Sequence, residues 1–279
     1  MVAQTKGGLV HGSSFQRVFT AIAAFTLALA PVFASAGSAS AEPHRSTCDS
    51  TLTGGTYHFH SLTVTGACVI PSGDVTITGG LTVAPGASLT VFQPNVRVKG
   101  SVRVGKGAVL NLGCSFAMTQ DPQLAGLCPD GPSSVRINGS LVAHAPLTMN
   151  LDGVVINGSV TSIGGGPGPT SHPYTNFSFK DNTVHGRVRI TGWQGTWIGA
   201  VRNTIHGGLV FSHNTAVATG ENGQPDGNEI ISNTIHGNLV CFGNSPAAQY
   251  GDAQGAPGAA PNTVTGRTLG QCRGLTQPF

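Results

Sequence analysis

Short runs of alternating β-branched and polar residues recur along the chain, each closed by a glycine at the same place. Three of them, at 182–186, 203–207 and 233–237, read Asn-Thr-(Val/Ile)-His-Gly, and a fourth at 262–266 reads Asn-Thr-Val-Thr-Gly. Four earlier runs, at 75–79, 96–100, 135–139 and 154–158, keep the frame with valine first. Two residues before each glycine stand Ile77, Val98, Ile137, Ile156, Val184, Ile205, Ile235 and Val264. Two residues after it stand Leu81, Val102, Leu141, Val160, Val188, Leu209, Leu239 and Thr268. Alternation with period two, interrupted by a fixed glycine, predicts a strand with a bend in it.

The glycines that close the frames are 21, 39, 19, 28, 21, 30 and 29 residues apart. The short spacings define a unit of about 20 residues, and the long ones a unit plus a loop, which is the period of a solenoid. Since each unit holds short strands and no helical pattern, the fold class expected is all-β: a right-handed parallel β-helix of about eight to nine coils. A sandwich also has short strands, but would not keep one residue type in one column eight times. Equivalent positions then stack about 4.8 Å apart. The breaks in the frame predict four excursions, at 112–135, 164–176, 213–228 and 244–261.

Residues 1–41 read as a secretory signal, with Lys6 and Arg17 near its start, an apolar run over 18–33 and Ala39-Ser40-Ala41 before Glu42. The β-helix is then expected over 42–272, with 273–279 as a tail. Without the leader the chain keeps 12 Lys and Arg (14 less Lys6 and Arg17) against 11 Asp and Glu, a net charge of +1. That gives no argument for a nucleic-acid partner, nor for a membrane after the leader is removed. All six cysteines follow the leader, so disulfides are expected. Of the fifteen pairings open to six cysteines, the nearest-neighbour one is preferred: Cys48–Cys68, Cys114–Cys128 and Cys241–Cys272. The outer two would pin the end coils, where a solenoid exposes strand edges and core.

The stacked columns define the candidate chemistry. The residue before each glycine reads Thr78, Lys99, Asn138, Asn157, His185, His206, His236, Thr265, an outward polar column. One ion cannot reach all three imidazoles of a straight column, whose outer members lie about 9.6 Å apart. Two neighbours among His185, His206 and His236 could chelate one; the alternative is a solvated ladder. Asparagine four residues before the glycine shares parity with the apolar columns and predicts an inward, structural ladder. Arg97, Lys99, Arg103 and Arg136 take outward positions on neighbouring coils and could grip an anionic polymer such as an acidic glycan. Trp193 and Trp197 either stack on sugar rings or plug a bend in the core. His58 and His60 alternate with Tyr57 and Phe59 and are expected outside.

No two carboxylates, and no nucleophile with a base, fall together in the alignment, so an enzyme is not favoured and no cofactor is implied. Glu221, Asp226 and Glu229 share one loop that could hold a cation weakly.

The segments 233–241 (NTIHGNLVC) and 262–272 (NTVTGRTLGQC) resemble the endings of a group of exported actinobacterial proteins. The frames between Val75 and Val160 also look like the bactofilin-type polymer-forming β-helix. The likeness spans roughly 50–272, implies a β-helix and brings no catalytic residues with it. The leader and the cysteine pairs depart from bactofilins, which work inside the cell. Together these features lead to the expectation of a secreted protein with a structural or binding role, its partner a cell-wall or extracellular glycan. A polysaccharide lyase or hydrolase is the alternative, and a metal-binding surface protein the third.

Overall fold

A computed structural model of the chain describes residues 47–279, apart from 122–123, 168–175, 221–222, 224 and 256–257. The leader and Glu221, both singled out above, lie outside these residues. The chain winds as a parallel β-helix with three sheets, here called front, side and rear, and every strand pairing between successive coils is parallel. The front sheet has nine strands, from Gly55–Phe59 to Thr263–Val264, one in each coil. From each front strand the chain turns into the side sheet, at the recurring glycine in every coil but the first, where His60 and Ser61 make the turn, then crosses to the rear sheet and returns one coil further on.

The two predicted apolar columns are interior files. Phe59, Ile77, Val98, Ile137, Ile156, Val184, Ile205, Ile235 and Val264 stand in register down the front sheet. Leu62, Leu81, Val102, Leu141, Val160, Val188, Leu209 and Leu239 do so down the side sheet, ending at Thr268. The rear sheet, which no frame announces, adds Cys68, Leu89, Leu110, Met149, Phe177 and Ile198. All but Val264 and Thr268 are buried, and the buried members form one continuous core. His58 and His60 are exposed beside buried Phe59, as their parity requires.

The three corners are built differently. At the front–side corner the backbones of successive coils touch. A Cβ on Gly158 would lie 2.6 Å from the carbonyl oxygen of Gly139 and 2.4 Å from Ser140 Oγ, and Gly100, Gly139, Gly186 and Gly207 meet the glycine below in the same way. At the rear–front corner the predicted ladder forms. Asn182, Asn203, Asn233 and Asn262 are buried, and each side-chain amide donates to the next one's carbonyl at 2.8–3.0 Å. The carbonyls of Asn203, Asn233 and Asn262 also accept the backbone N–H of the asparagine one coil back, and that of Asn182 accepts the Val154 N–H. Asp181, Arg202 and Ser232, just before three of these asparagines, hold positive φ of 57°, 55° and 59°. A second ladder, not anticipated, stands at the side–rear corner: Asn214 and Asn244 pass bonds on to Gln271.

The three nearest-neighbour disulfides form, with Cα–Cα distances of 5.5, 6.1 and 5.2 Å. They are bonds of an oxidising environment, extracellular or periplasmic. No helix among the described residues is long and apolar enough to cross a membrane. The Cys114–Cys128 bridge closes the first excursion, whose short helix Phe116–Gln120 is capped by Ser115. The segment 273–279, expected as a tail, is part of the closing cap instead. Leu275 is buried, and its carbonyl accepts both the backbone and side-chain N–H of Asn262, ending the asparagine ladder.

Gly158→Ala should destabilise the fold by about 2–3 kcal/mol, because the added methyl meets backbone that must shift. Urea unfolding would show it, and a midpoint equal to that of the parent protein would contradict the reading of this corner.

Candidate functional site

The outward residues of the front strands stand in two columns. One holds Thr76, Arg97, Arg136 and Val155 in register. The other, two residues on, holds Thr78, Lys99, Asn138 and Asn157. Arg97 and Arg136 thus occupy adjacent coils, and they line an open concavity of about 540 Å³ with Asp74, Asn95, Ser134, Asn138 and Asn157. Its rim is tied by Asn95, which donates to Asp74 Oδ1 and accepts from the Ser134 N–H, both at 3.0 Å. Asn157 donates to Asn138 Oδ1 at 3.3 Å across its floor. Neither arginine is ion-paired among the described residues. Lys99 is exposed on the same face. Arg103 is not part of this group: it lies past the Gly100 corner in the side sheet, between Thr82 and Val142. Parity predicted that it points outward, but the corner sends it to another face.

His185, His206 and His236 continue the second column. Their rings stack with centroids 4.7 and 5.1 Å apart and planes within 7° and 19° of parallel, and all three are exposed. Imidazole lone pairs lie in the ring plane, so neighbouring lone pairs in this stack run side by side and do not converge. Two metal–nitrogen bonds of about 2.1 Å from one ion need converging donors. Among the described residues no three His, Cys, Asp or Glu side chains gather to hold a metal, and this includes Asp226 and Glu229.

The tryptophans part company. Trp193 is fully buried, edge-on to Phe177 at 4.9 Å, with Nε1 donating to Ser162 Oγ at 3.0 Å. It is a core plug and no sugar can reach its face. Trp197, half-buried, lies on the outer side of the rear sheet. Its ring covers Gly199, where a Cβ would be 2.0 Å from it, and the Lys180 ammonium sits 4.8 Å above it. Its Nε1 donates to Glu229 Oε2 at 2.9 Å.

That contact belongs to a carboxyl cluster the alignment did not reveal. Asp152 and Lys180 are paired in the rear sheet, and Asp181 follows Lys180. Ser115 Oγ lies 2.8 Å from Asp152 Oδ1 and 3.0 Å from Asp181 Oδ2, while accepting the Met118 N–H at 3.1 Å. Arg202, one coil on, grips Asp181 with both Nε and Nη2, at 2.7 and 2.8 Å. The two carboxyl contacts of Oγ exceed what its one hydroxyl proton can satisfy if both carboxyls are ionised. Burial, only partly opposed by the Ser115 bond and the Lys180 charge, raises Asp152 to about 6. Once protonated, Asp152 donates to Ser115 and Ser115 to Asp181. Glu229 is pushed further, to about 8, by burial and then by repulsion from Asp226 and Asp252. It is 3% exposed, and its Oε1 has no hydrogen-bond partner among the described residues. Chain separations of 37 between Ser115 and Asp152, and 66 between Ser115 and Asp181, hid this cluster. Only a search for acids preceding a corner glycine or asparagine would have found it.

Both raised acids favour the protonated folded state. Their contribution is fully present below their unfolded values of 3.8 and 4.5 and is lost as pH rises through about 6 and about 8. The unfolding free energy should therefore fall as pH rises from about 4 to about 8, at up to about 1.4 kcal/mol per pH unit for each group, Asp152 acting up to about 6 and Glu229 up to about 8. Glu229→Gln should flatten the upper part of that profile and exceed the parent protein in stability at pH 8.5. An unchanged slope in that variant would refute the assignment.

No family model, curated protein or solved structure matches the chain.

Proposed function

We propose that the protein is an exported β-helix that binds a linear anionic polymer, an acidic glycan of the cell surface or its surroundings, along its front sheet. The observation that carries this reading is the placing of Arg97 and Arg136, neither ion-paired among the described residues, on adjacent coils of one polar concavity. Guanidinium groups present a planar fork suited to carboxylate, sulfate or phosphate oxygens. Asn95, Asn138 and Asn157 add neutral donors that would orient sugar hydroxyls. The leader pattern and three disulfides support export.

A second reading, a polysaccharide hydrolase or lyase, draws on Asp152 and Asp181 meeting at Ser115, with one acid raised and the other held by Arg202. Two carboxyls in unlike environments are what acid–base chemistry requires. The concavity that could seat a chain lies on the front sheet and this pair on the rear, which ranks the reading second. Release of reducing ends from an acidic polysaccharide by the parent protein, abolished by Asp152→Asn, would promote it.

For the binding reading, polygalacturonate should bind at pH 8 and low salt, with affinity falling as salt rises. Arg97→Ala/Arg136→Ala should weaken it by at least about tenfold, since a hydrogen bond to a charged group contributes about 1.5–3 kcal/mol. Trp193→Phe should leave the affinity unchanged. Equal binding by the double arginine variant, or no binding by the parent protein, would overturn the proposal.

A further inference from the structure

The front sheet does not stop at the concavity. The column of Thr76, Arg97, Arg136 and Val155 runs on in register through Thr183, Thr204, Thr234 and Thr263. The column of Lys99, Asn138 and Asn157 runs on through His185, His206 and His236. From the coil of Arg97 to that of His236 is five coil steps, about 24 Å at the inter-strand spacing.

We infer that the histidine ladder is a second, acid-recruited segment of the polymer track. Protonation of His185, His206 and His236 would extend the positive surface of Arg97 and Arg136 along the same face. This rests on the reading of the front sheet given above and adds its regulation and the length of polymer it takes.

Imidazole is the side chain whose charge changes between about pH 5 and 8. The three rings are exposed and stacked face to face. What surrounds them decides what a charge there would meet. Within the sheet their neighbours are Thr183, Thr204, Thr234 and Thr265, all neutral, with Asn157 at one end. Past the corner stand Arg187, Gly208, Asn238 and Arg267, which are basic or neutral. Among the described residues no carboxylate lies within ion-pair distance of any of the three. The acids with perturbed titration, Asp152, Asp226 and Glu229, belong to the rear sheet and its loop. Placing charge on one stacked imidazole next to another costs Coulomb energy, and nothing on this face offsets it. An anion laid across the ring edges would. A linear polyanion does so on successive coils at once, and by linkage the polymer and the protons then strengthen each other's binding. The threonine columns keep the surface beside the rings flat and hydroxylated, suited to a sugar chain. A chelated metal ion is disfavoured by the parallel rings, and a flat neutral scaffold would have no use for three aligned bases.

The test uses the mature chain and dextran sulfate, whose sulfate esters stay ionised throughout, at pH 8 and pH 5.5 and one ionic strength. The parent protein should bind at pH 8 and gain about tenfold or more at pH 5.5, a change of about 1.4 kcal/mol. His185→Gln/His206→Gln/His236→Gln, checked for an unchanged circular dichroism spectrum and thermal midpoint, should keep the pH 8 affinity and lose the gain. A short sulfated oligosaccharide, long enough only for the arginine coils, should show little gain with the parent protein. Binding at pH 8 without a gain at pH 5.5, or a gain that survives in the triple variant, would overturn this inference and leave the arginine site standing. Absence of binding at both pH values would overturn the arginine site and the inference with it.

Discussion

The close approach of backbone to backbone at the front–side corner is the constraint on which the rest depends. Gly139, Gly158, Gly186 and Gly207 each stand where a Cβ would fall about 2.6 Å from the carbonyl oxygen of the glycine below. The corner N–H of each donates to that same oxygen at 2.9–3.0 Å. A side chain there would push successive coils apart and lengthen those bonds. It would also shift the pairing of the front strands, which end two residues before the glycine, and of the side strands, which start two residues after it. The two interior files remain files because their starting points are tied at this corner.

The other two corners solve a different problem. A turn in a solenoid points backbone groups into the core, and burying them without partners costs about 1–3 kcal/mol each. Asn182, Asn203, Asn233 and Asn262 supply the partners from inside: the Asn182 carbonyl takes the Val154 N–H, and each later carbonyl takes a backbone and a side-chain N–H from the asparagine before it. The ladder begins only at Asn182. In earlier coils the same position is filled by Val75, Val96, Val135 and Val154, which belong to the buried core. The two halves of the molecule thus handle one corner by different means. The left-handed residues before the asparagines carry side chains out at the rear edge, and that is how Asp181 and Arg202 come to lie one coil apart and pair.

This explains what could be read from the residues and what could not. The front and side sheets were legible because a glycine marks the same step in each of their coils. The rear sheet was not. Its members Met149, Phe177 and Ile198 share no residue type, and excursions of unequal length fall on either side of it. Parity placed Arg97, Lys99, Arg136 and the three histidines correctly, since they precede the corner. It failed to group Arg103, which follows the corner and faces elsewhere. The Asp152–Ser115–Asp181 contact depends on a disulfide-closed excursion folding back beside the rear sheet, and no periodicity encodes that. Trp193 and Trp197 are four residues apart, but the side–rear corner lies between them. One ends in the core and the other outside.

A formal net charge of only +3 over 279 residues hides a marked division of labour among the charged groups. On the rear edge the acids are buried or paired: Asp181 is gripped by Arg202, Asp152 is bonded to Ser115, and Glu229, raised to about 8 by burial, is bonded to Trp197. An acid held neutral contributes no field, and one neutralised by a bidentate arginine contributes little beyond its neighbours. On the front sheet Arg97, Lys99 and Arg136 are exposed, with Asp74 at the rim of the concavity as the nearby acid. Counting residues treats both groups alike, whereas a passing ion feels mainly the exposed one. The front sheet is therefore more positive than a net charge of +3 spread over the whole chain would suggest. Its flatness follows from the same stacked backbone that requires the glycines.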